Sequence, residues 1–287
     1  MSSLAILLIA VGLADLVAAR GWRTPQTGRL VGAWAGLASI AVLAALSGLG
    51  GWGDLALLVV AGLTTASWVI LTERAERTDR GQGLALSALA GGAGLVVLLS
   101  GWSTPVAGAV ARWLDWTAID RLDSLDPTRL LLLAGLFLTQ LSTGNLVVRL
   151  VLAHTGALNP HGGPQASDRL RGGRLLGPME RVFILGLGLA GQVTAASIVI
   201  AAKGLIRWPE LQKATRDSER LERDTERRER ASERRERDTE RRDGAGPTGD
   251  SIPRPVASID QVTEYFLIGS FVSWLLALSA LVVAHLS

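Results

Sequence analysis

The chain has 287 residues, 48% of them hydrophobic, and a formal charge of only +3, too small to point to nucleic acid. It has no cysteine and three histidines, which excludes disulfides and thiolate metal sites and leaves little for a His-rich one. The mean hydropathy of +0.32 averages two unlike populations: long Leu/Ala/Val/Gly stretches, and a block near 210–243 that is almost entirely Arg, Glu and Asp.

Without that block the chain is too apolar for a soluble domain. The expectation is therefore all-α: a polytopic transmembrane helical bundle with one long solvent-exposed charged helix, its first partner being the lipid bilayer. High Ala, Gly and Arg, with lysine only at Lys203 and Lys213, suggest a bacterial source and thus a multi-pass inner-membrane protein.

A spanning helix needs roughly 20 mostly apolar residues. About seven stretches qualify, near 4–19, 30–49, 55–71, 84–99, 130–153, 182–202 and 262–286. The first lacks a basic flank and contains Asp15, so it reads as a retained span and not as a signal peptide. A carboxylate there could bind a cation, relay a proton or pair with arginine; pairing with Arg20 or interfacial water is the plainer expectation. Trp22, Trp52, Trp102, Trp113, Trp116 and Trp208 lie at or just beyond span ends, where an indole sits at headgroup level. Spans are rich in Gly, Ala and Ser, as bundle packing in lipid requires. The stretch 105–126 is too polar to span, and Arg112, Trp113, Asp115 and Trp116 predict a short helix lying in the interface.

The fifth span carries Gln140, Ser142, Thr143, Gly144, Asn145 and Arg149. Residues 140–145 could form an unwound stretch lining a cavity, but interhelical hydrogen bonding by Gln140 and Asn145 is the favoured reading. A Gly-rich basic loop follows over 160–178. The sixth span runs from Glu180 and Arg181 past a mid-span Gln192 to Lys203 and Arg207; the seventh opens with Glu264 and Tyr265. These flanking charges read as anchors. Glu180 and Lys203 at opposite ends of one span cannot meet at one membrane face.

Between the last two spans lies a heptad-repeated block, Glu222–Arg228, Glu229–Arg235 and Glu236–Arg242. It is coiled coil-like in period but lacks an apolar seam. Its charges fall at i,i+4 spacing, acid first: Glu219 with Arg223, Asp224 with Arg228, Glu226 with Arg230, Glu233 with Arg237 and Asp238 with Arg242. The expected division is a bundle over 1–207, a charged helix over 208–243, a Gly/Pro linker over 244–260 and a last span over 261–287.

Positive residues collect on the cytoplasmic side. Arg20, Arg23 and Arg29 in the first loop, and Arg74, Arg77 and Arg80 in the third, put the N-terminus outside. Seven spans then put the sixth connection outside, yet Lys203, Arg207 and Lys213 argue for inside. A re-entrant segment or a long-loop exemption would reconcile them.

No phosphate-cradling loop, HExxH or nucleophile elbow is present, and His154, His161 and His285 form no ligand set. No cofactor or metal is expected. The leading expectation is a non-enzymatic membrane anchor or scaffold whose arm, 210–243, meets a protein partner. The alternatives are a solute or ion transporter using Asp15, Gln140, Asn145, Arg149 and Gln192, and a membrane hydrolase using Asp15 and Glu180.

Three segments carry a resemblance. Gly173–Arg181 resembles G-R-x-I-G-x-L-E-R, Ala201–Trp208 resembles A-A-K-S-x-x-R-F, and Glu264–Ser273 resembles E-Y-x-L-I-G-T-L-x-S. In this order they are similar to a family of bacterial multi-span membrane proteins of unknown function, over about 140–285. That family opens with His-x-x-x-Asp-Phe and carries further intramembrane His and Asp, which suggests a metal or proton site. Here Val11 stands in the His position while Asp15-Leu16 keeps the Asp, so the resemblance implies a fold and a degenerate site.

Overall fold

A computed structural model describes residues 1–20, 24–117, 125–156, 173–202 and 259–287, with isolated positions between 205 and 231. Every long element among the described residues is an α-helix, and none is a strand. In chain order these are α1 (Ser2–Ala18), α2 (Pro25–Ser47), α3 (Trp52–Thr78), α4 (Gln82–Leu98), α5 (Gly108–Trp116), α6 (Pro127–Leu141), α7 (Thr143–His154), α8 (Gly173–Leu189), α9 (Val193–Ala202) and α10 (Ile259–His285).

Local chemistry sets several ends. Pro25 and Pro127 occupy the first turn of α2 and α6, where a missing N–H costs nothing. Thr24 and Asp126 cap those helices by accepting from the N–H groups of Thr27 and Thr128. Gly48 ends α2 in the left-handed conformation.

The most apolar helix, α1, lies at the centre and is buried nearly all round, from Leu4 through Ala14, against α2, α3 and α6. Its contact with α2 is close because Gly32 and Gly36 carry no side chain. A Cβ at Gly32 would lie 2.5 Å from the carbonyl oxygen of Ala14, and one at Gly36 2.9 Å from that of Ala10. In lipid, such small-residue spacing supplies packing that the hydrophobic effect cannot. Next to α3 lies α4, and α8 pairs with α10 against α6 and α7.

Three helical stretches are long and apolar enough to cross a membrane: 26–47, 52–78 and 267–285. Only 22% of the apolar stretch of α2 and 28% of that of α10 is buried. Leu30, Trp34, Val59, Leu63, Ile70 and Leu267 instead project outward. Apolar helices with apolar outer faces are what a bilayer solvates. The α6–α7 pair adds a fourth crossing if its 47° bend is taken as one broken span.

Two expected spans differ. The stretch 130–153 breaks at Ser142, and 182–202 breaks at Gly191-Gln192. Apolar composition is blind to a local break, because lipid solvates the side chains on either side of it equally well. The count of seven also meets a geometric difficulty. Met1 and Ser2 line one cleft with Asp126, Thr128 and Ser287, so α1 begins where α10 ends. An odd number of crossings would separate those ends.

A short helix expected near 105–126 is present as α5, with Trp113 and Trp116 exposed, as are Trp52 and Trp102. At seven described positions between 216 and 231 the chain is helical and exposed. The continuous charged helix and its i,i+4 pairs otherwise fall outside the described residues.

Candidate functional site

The break between α6 and α7 organises the buried polar groups. The C-terminal carbonyls of α6 and the N-terminal N–H groups of α7 are left without intrahelical partners. The dipoles of the two half-helices leave partial negative charge at the first end and partial positive charge at the second. Ser142 Oγ bridges the gap, 2.9 Å from the carbonyl oxygens of both Leu138 and Gly12, and so ties the break to α1.

Arg181, 1% exposed, serves the negative end. Its Nε and Nη2 donate to the Gln140 carbonyl at 3.2 and 3.0 Å. Nη2 also donates to Asn145 Oδ1 at 2.7 Å, and Nη1 to Ser273 Oγ at 3.2 Å. One planar guanidinium therefore joins α6, α7, α8 and α10. Gly144 makes room for it, since a Cβ there would lie 2.7 Å from Arg181 Nε. Next door, Glu180 Oε1 accepts from Trp274 Nε1 at 2.9 Å, and Gln140 Nε2 donates to the Leu276 carbonyl at 3.3 Å. Glu180 and Arg181 are thus buried inside α8 and are not end anchors. The helix begins at Gly173, well before the apolar run that the sequence displays.

Asp15 lies by the other end of the break. Its partner is Trp68, whose Nε1 donates to both carboxylate oxygens, at 3.2 and 3.1 Å. The expected partner Arg20 is instead exposed. Thr143, the first residue of α7, faces the carboxylate, yet its buried Oγ1 makes no hydrogen bond of normal geometry. Along α3, Trp68, Thr72 and Glu76 follow at four-residue spacing on one face. The Thr72 hydroxyl is likewise buried without a partner. Glu76 accepts from Arg29 at 2.6 Å and lies 3.5 Å from Arg149, which is largely exposed.

Of the other expected residues, Gln192 lies in the α8–α9 break and is exposed, not mid-span. Lys203 and Arg207 lie outside the described residues. Glu264 and Tyr265 are described only as helical backbone in α10.

Sequence reasoning missed Trp68, Thr72, Ser273 and Asp54. At the opposite end of the helical bundle Asp54 is fully buried, accepting from the N–H and Oγ1 of Thr104 at 2.8 and 2.7 Å and from the N–H of Gly51 at 3.2 Å. Its carboxylate pins the loop between α4 and α5 to the start of α3. A buried acid near a span end was a usable signal for it; a Trp or Thr inside an apolar run is not.

No family, curated protein or solved structure matches the chain.

Proposed function

We propose that this is a non-enzymatic, multi-pass scaffold of a bacterial inner membrane, whose bundle anchors the charged segment 208–243 for contact with a protein partner. The observation that supports it most is the guanidinium of Arg181. This buried charge places four of its five N–H groups on Gln140, Asn145 and Ser273 from three other helices, an arrangement that braces a bundle and leaves little for a substrate. The resemblance of the C-terminal half to multi-span proteins of unknown function fits the same architecture.

Helix directions support a further crossing in this reading. Gly188 packs on Leu281 while Arg181 bonds Ser273, so α8 runs parallel to α10 and ends near the face where α10 ends. A bundle that spans the membrane then needs a return before α10 begins at the opposite, arginine-rich face, and the sequence offers no apolar stretch after 193–206 for it. In this reading α9 starts the return, Lys203 and Arg207 reach the cytoplasmic interface, and the crossings number eight instead of seven. At 17 residues each, α1 and α4 meet the lower end of the length that spans a bilayer, roughly 17–25 residues.

Deleting Arg216–Asp243 should strip co-purifying proteins from the detergent-extracted chain while leaving its melting temperature within about 2 °C of wild type, as expected for a solvated segment outside the packed core. An unchanged set of co-purifying proteins would overturn the scaffold reading.

A further inference from the structure

Trp52, Trp102, Trp113 and Trp116 are 90, 63, 53 and 80% exposed, yet they come from three separate elements that meet at one end of the bundle. Trp52 opens α3, and Trp102 follows the end of α4. Gly53 lets the two approach, since a Cβ there would lie 2.5 Å from the Trp102 carbonyl oxygen. The buried Asp54 carboxylate, through Thr104, holds the chain just beyond Trp102 against the start of α3. The third element, α5, is tied to the end of α2. The Ala107 N–H donates to the Ser47 carbonyl at 2.9 Å, and a Cβ at Gly108 would lie 2.8 Å from the Leu46 carbonyl oxygen. All four indoles therefore stand where α2 ends and α3 begins, at the far end of those helices from the Arg29–Glu76 ion pair.

Helical spacing divides α5 into three faces. Leu114 is buried, and Val110 lies one turn before it on the side that packs on the bundle. Trp113 and Trp116, three apart, share a second face with Ala109. Arg112 and Asp115, also three apart and both exposed, share the third. The surface around these indoles indicates what covers them. Leu46, next to the end of α2, and Leu55, near the start of α3, are exposed, so the apolar outer faces of both helices run up to this level. Water leaves the apolar body of an indole unburied, and hydrocarbon leaves its N–H unpaired; the headgroup layer at the end of a lipid-facing surface satisfies both. Arg112 and Asp115 carry opposite charges, so α5 has no net charge with which to select a charged partner.

We propose that Trp52, Trp102, Trp113 and Trp116 form a shelf that seats on the phospholipid headgroup layer, with α5 lying in the plane of the interface. Its Trp113–Trp116 face turns to the acyl chains and its Arg112–Asp115 face to water. The chemistry recognised is the headgroup and ester region common to phospholipids, whatever the headgroup charge. The shelf does not depend on the scaffold reading, which is tested through 208–243.

The test uses the full chain in phosphatidylcholine vesicles. Because the chain has no cysteine, a nitroxide can be placed singly through Ala109→Cys, Trp116→Cys, Arg112→Cys or Asp115→Cys. Collisions with dissolved oxygen, which concentrates among acyl chains, are compared with collisions with a water-soluble nickel complex. Labels at 109 and 116 should favour oxygen, at a depth of roughly 5–10 Å into the boundary between headgroups and acyl chains. Labels at 112 and 115 should favour the nickel complex. The same alternation is expected in phosphatidylglycerol vesicles. Two positions on each face keep the pattern readable if one variant fails to fold. Nickel access at all four positions would overturn the proposal by placing α5 in water. Protection of 109 and 116 from both reagents would overturn it by placing another protein surface or a second copy over the indoles. An alternation confined to phosphatidylglycerol would overturn it by making headgroup charge the determinant.

Discussion

Four hydrogen bonds leave the Arg181 guanidinium, all to neutral acceptors, and its removal leaves the buried Gln140 and Ser273 short of a donor while Asn145 is exposed. Arg181→Met keeps most of the volume but leaves Asn145 Oδ1, Ser273 Oγ and the Gln140 carbonyl without that donor. A loss of about 1–3 kcal/mol in denaturant unfolding from mixed micelles is expected, less than the sum of isolated bonds because the partners relax. Arg181→Lys should recover only part of it, since an ammonium cannot fan donors across three helices as a planar fork does. A Met variant as stable as wild type would show that the guanidinium is not a brace. Of these partners, Gln140, Asn145 and Arg181 were legible in the sequence as polar residues beside or within apolar runs. Ser273 was not, because a serine inside a span is as often plain packing. Nor was Trp68: an indole amid Leu and Val reads as bulk, and its N–H matters only once folding places Asp15 opposite it.

Between helices, the fit of α2 against its neighbours depends on what is missing at Gly36. A Cβ there would lie 2.9 Å from the Ala10 carbonyl oxygen on α1 and 3.0 Å from Thr65 Cγ2 on α3. The backbone oxygen cannot swing away, so Gly36→Val must push α2 outward. Overpacking of this kind costs about 1–3 kcal/mol. Gly94 on α4 is the internal control, because nothing lies within 4 Å of a Cβ built there. Gly94→Ala should be neutral or stabilising by up to about 1 kcal/mol through helix propensity. Parallel melting of the two variants checks both; equal effects would mean that the α1–α2 contact is looser than described. Helix positions were legible where apolar runs end in clear polar breaks: 55–71 lies inside α3, and 4–19 and 84–99 overrun the ends of α1 and α4 by one residue each. Helix continuity was not. The break at Ser142 had a polar cue in Gln140–Asn145, whereas Gly191-Gln192 resembles any small-residue stretch of a span.

At the scale of the molecule, the relative direction of α8 and α10 supports the proposed cytoplasmic placement of the charged segment. Met1 and Ser287 meet at one cleft, and Gly188 reaches Leu281 on the same half of the bundle. The arginines of the first and third loops mark the other face: Arg29 bonds Glu76 there, and Arg149 joins them. With α8 and α10 both running from that face, the proposed eight-crossing reading has α10 entered from the arginine side. The basic residues Lys203, Arg207 and Lys213 then obey the positive-inside rule that a seven-span arrangement makes them break. The sequence carried this conflict openly; the proposed reading of it draws on the relative direction of two helices, which hydropathy does not encode. Because the chain has no cysteine, Ser232→Cys gives a single addressable thiol. A membrane-impermeant thiol reagent should leave it unlabelled in intact cells and label it after lysis. Labelling in intact cells would place the segment outside, remove the return crossing through α9, and require α8 and α10 to run in opposite directions. That arrangement would separate Gly188 from Leu281, so a Gly188→Cys, Leu281→Cys pair, expected here to cross-link, would fail to do so.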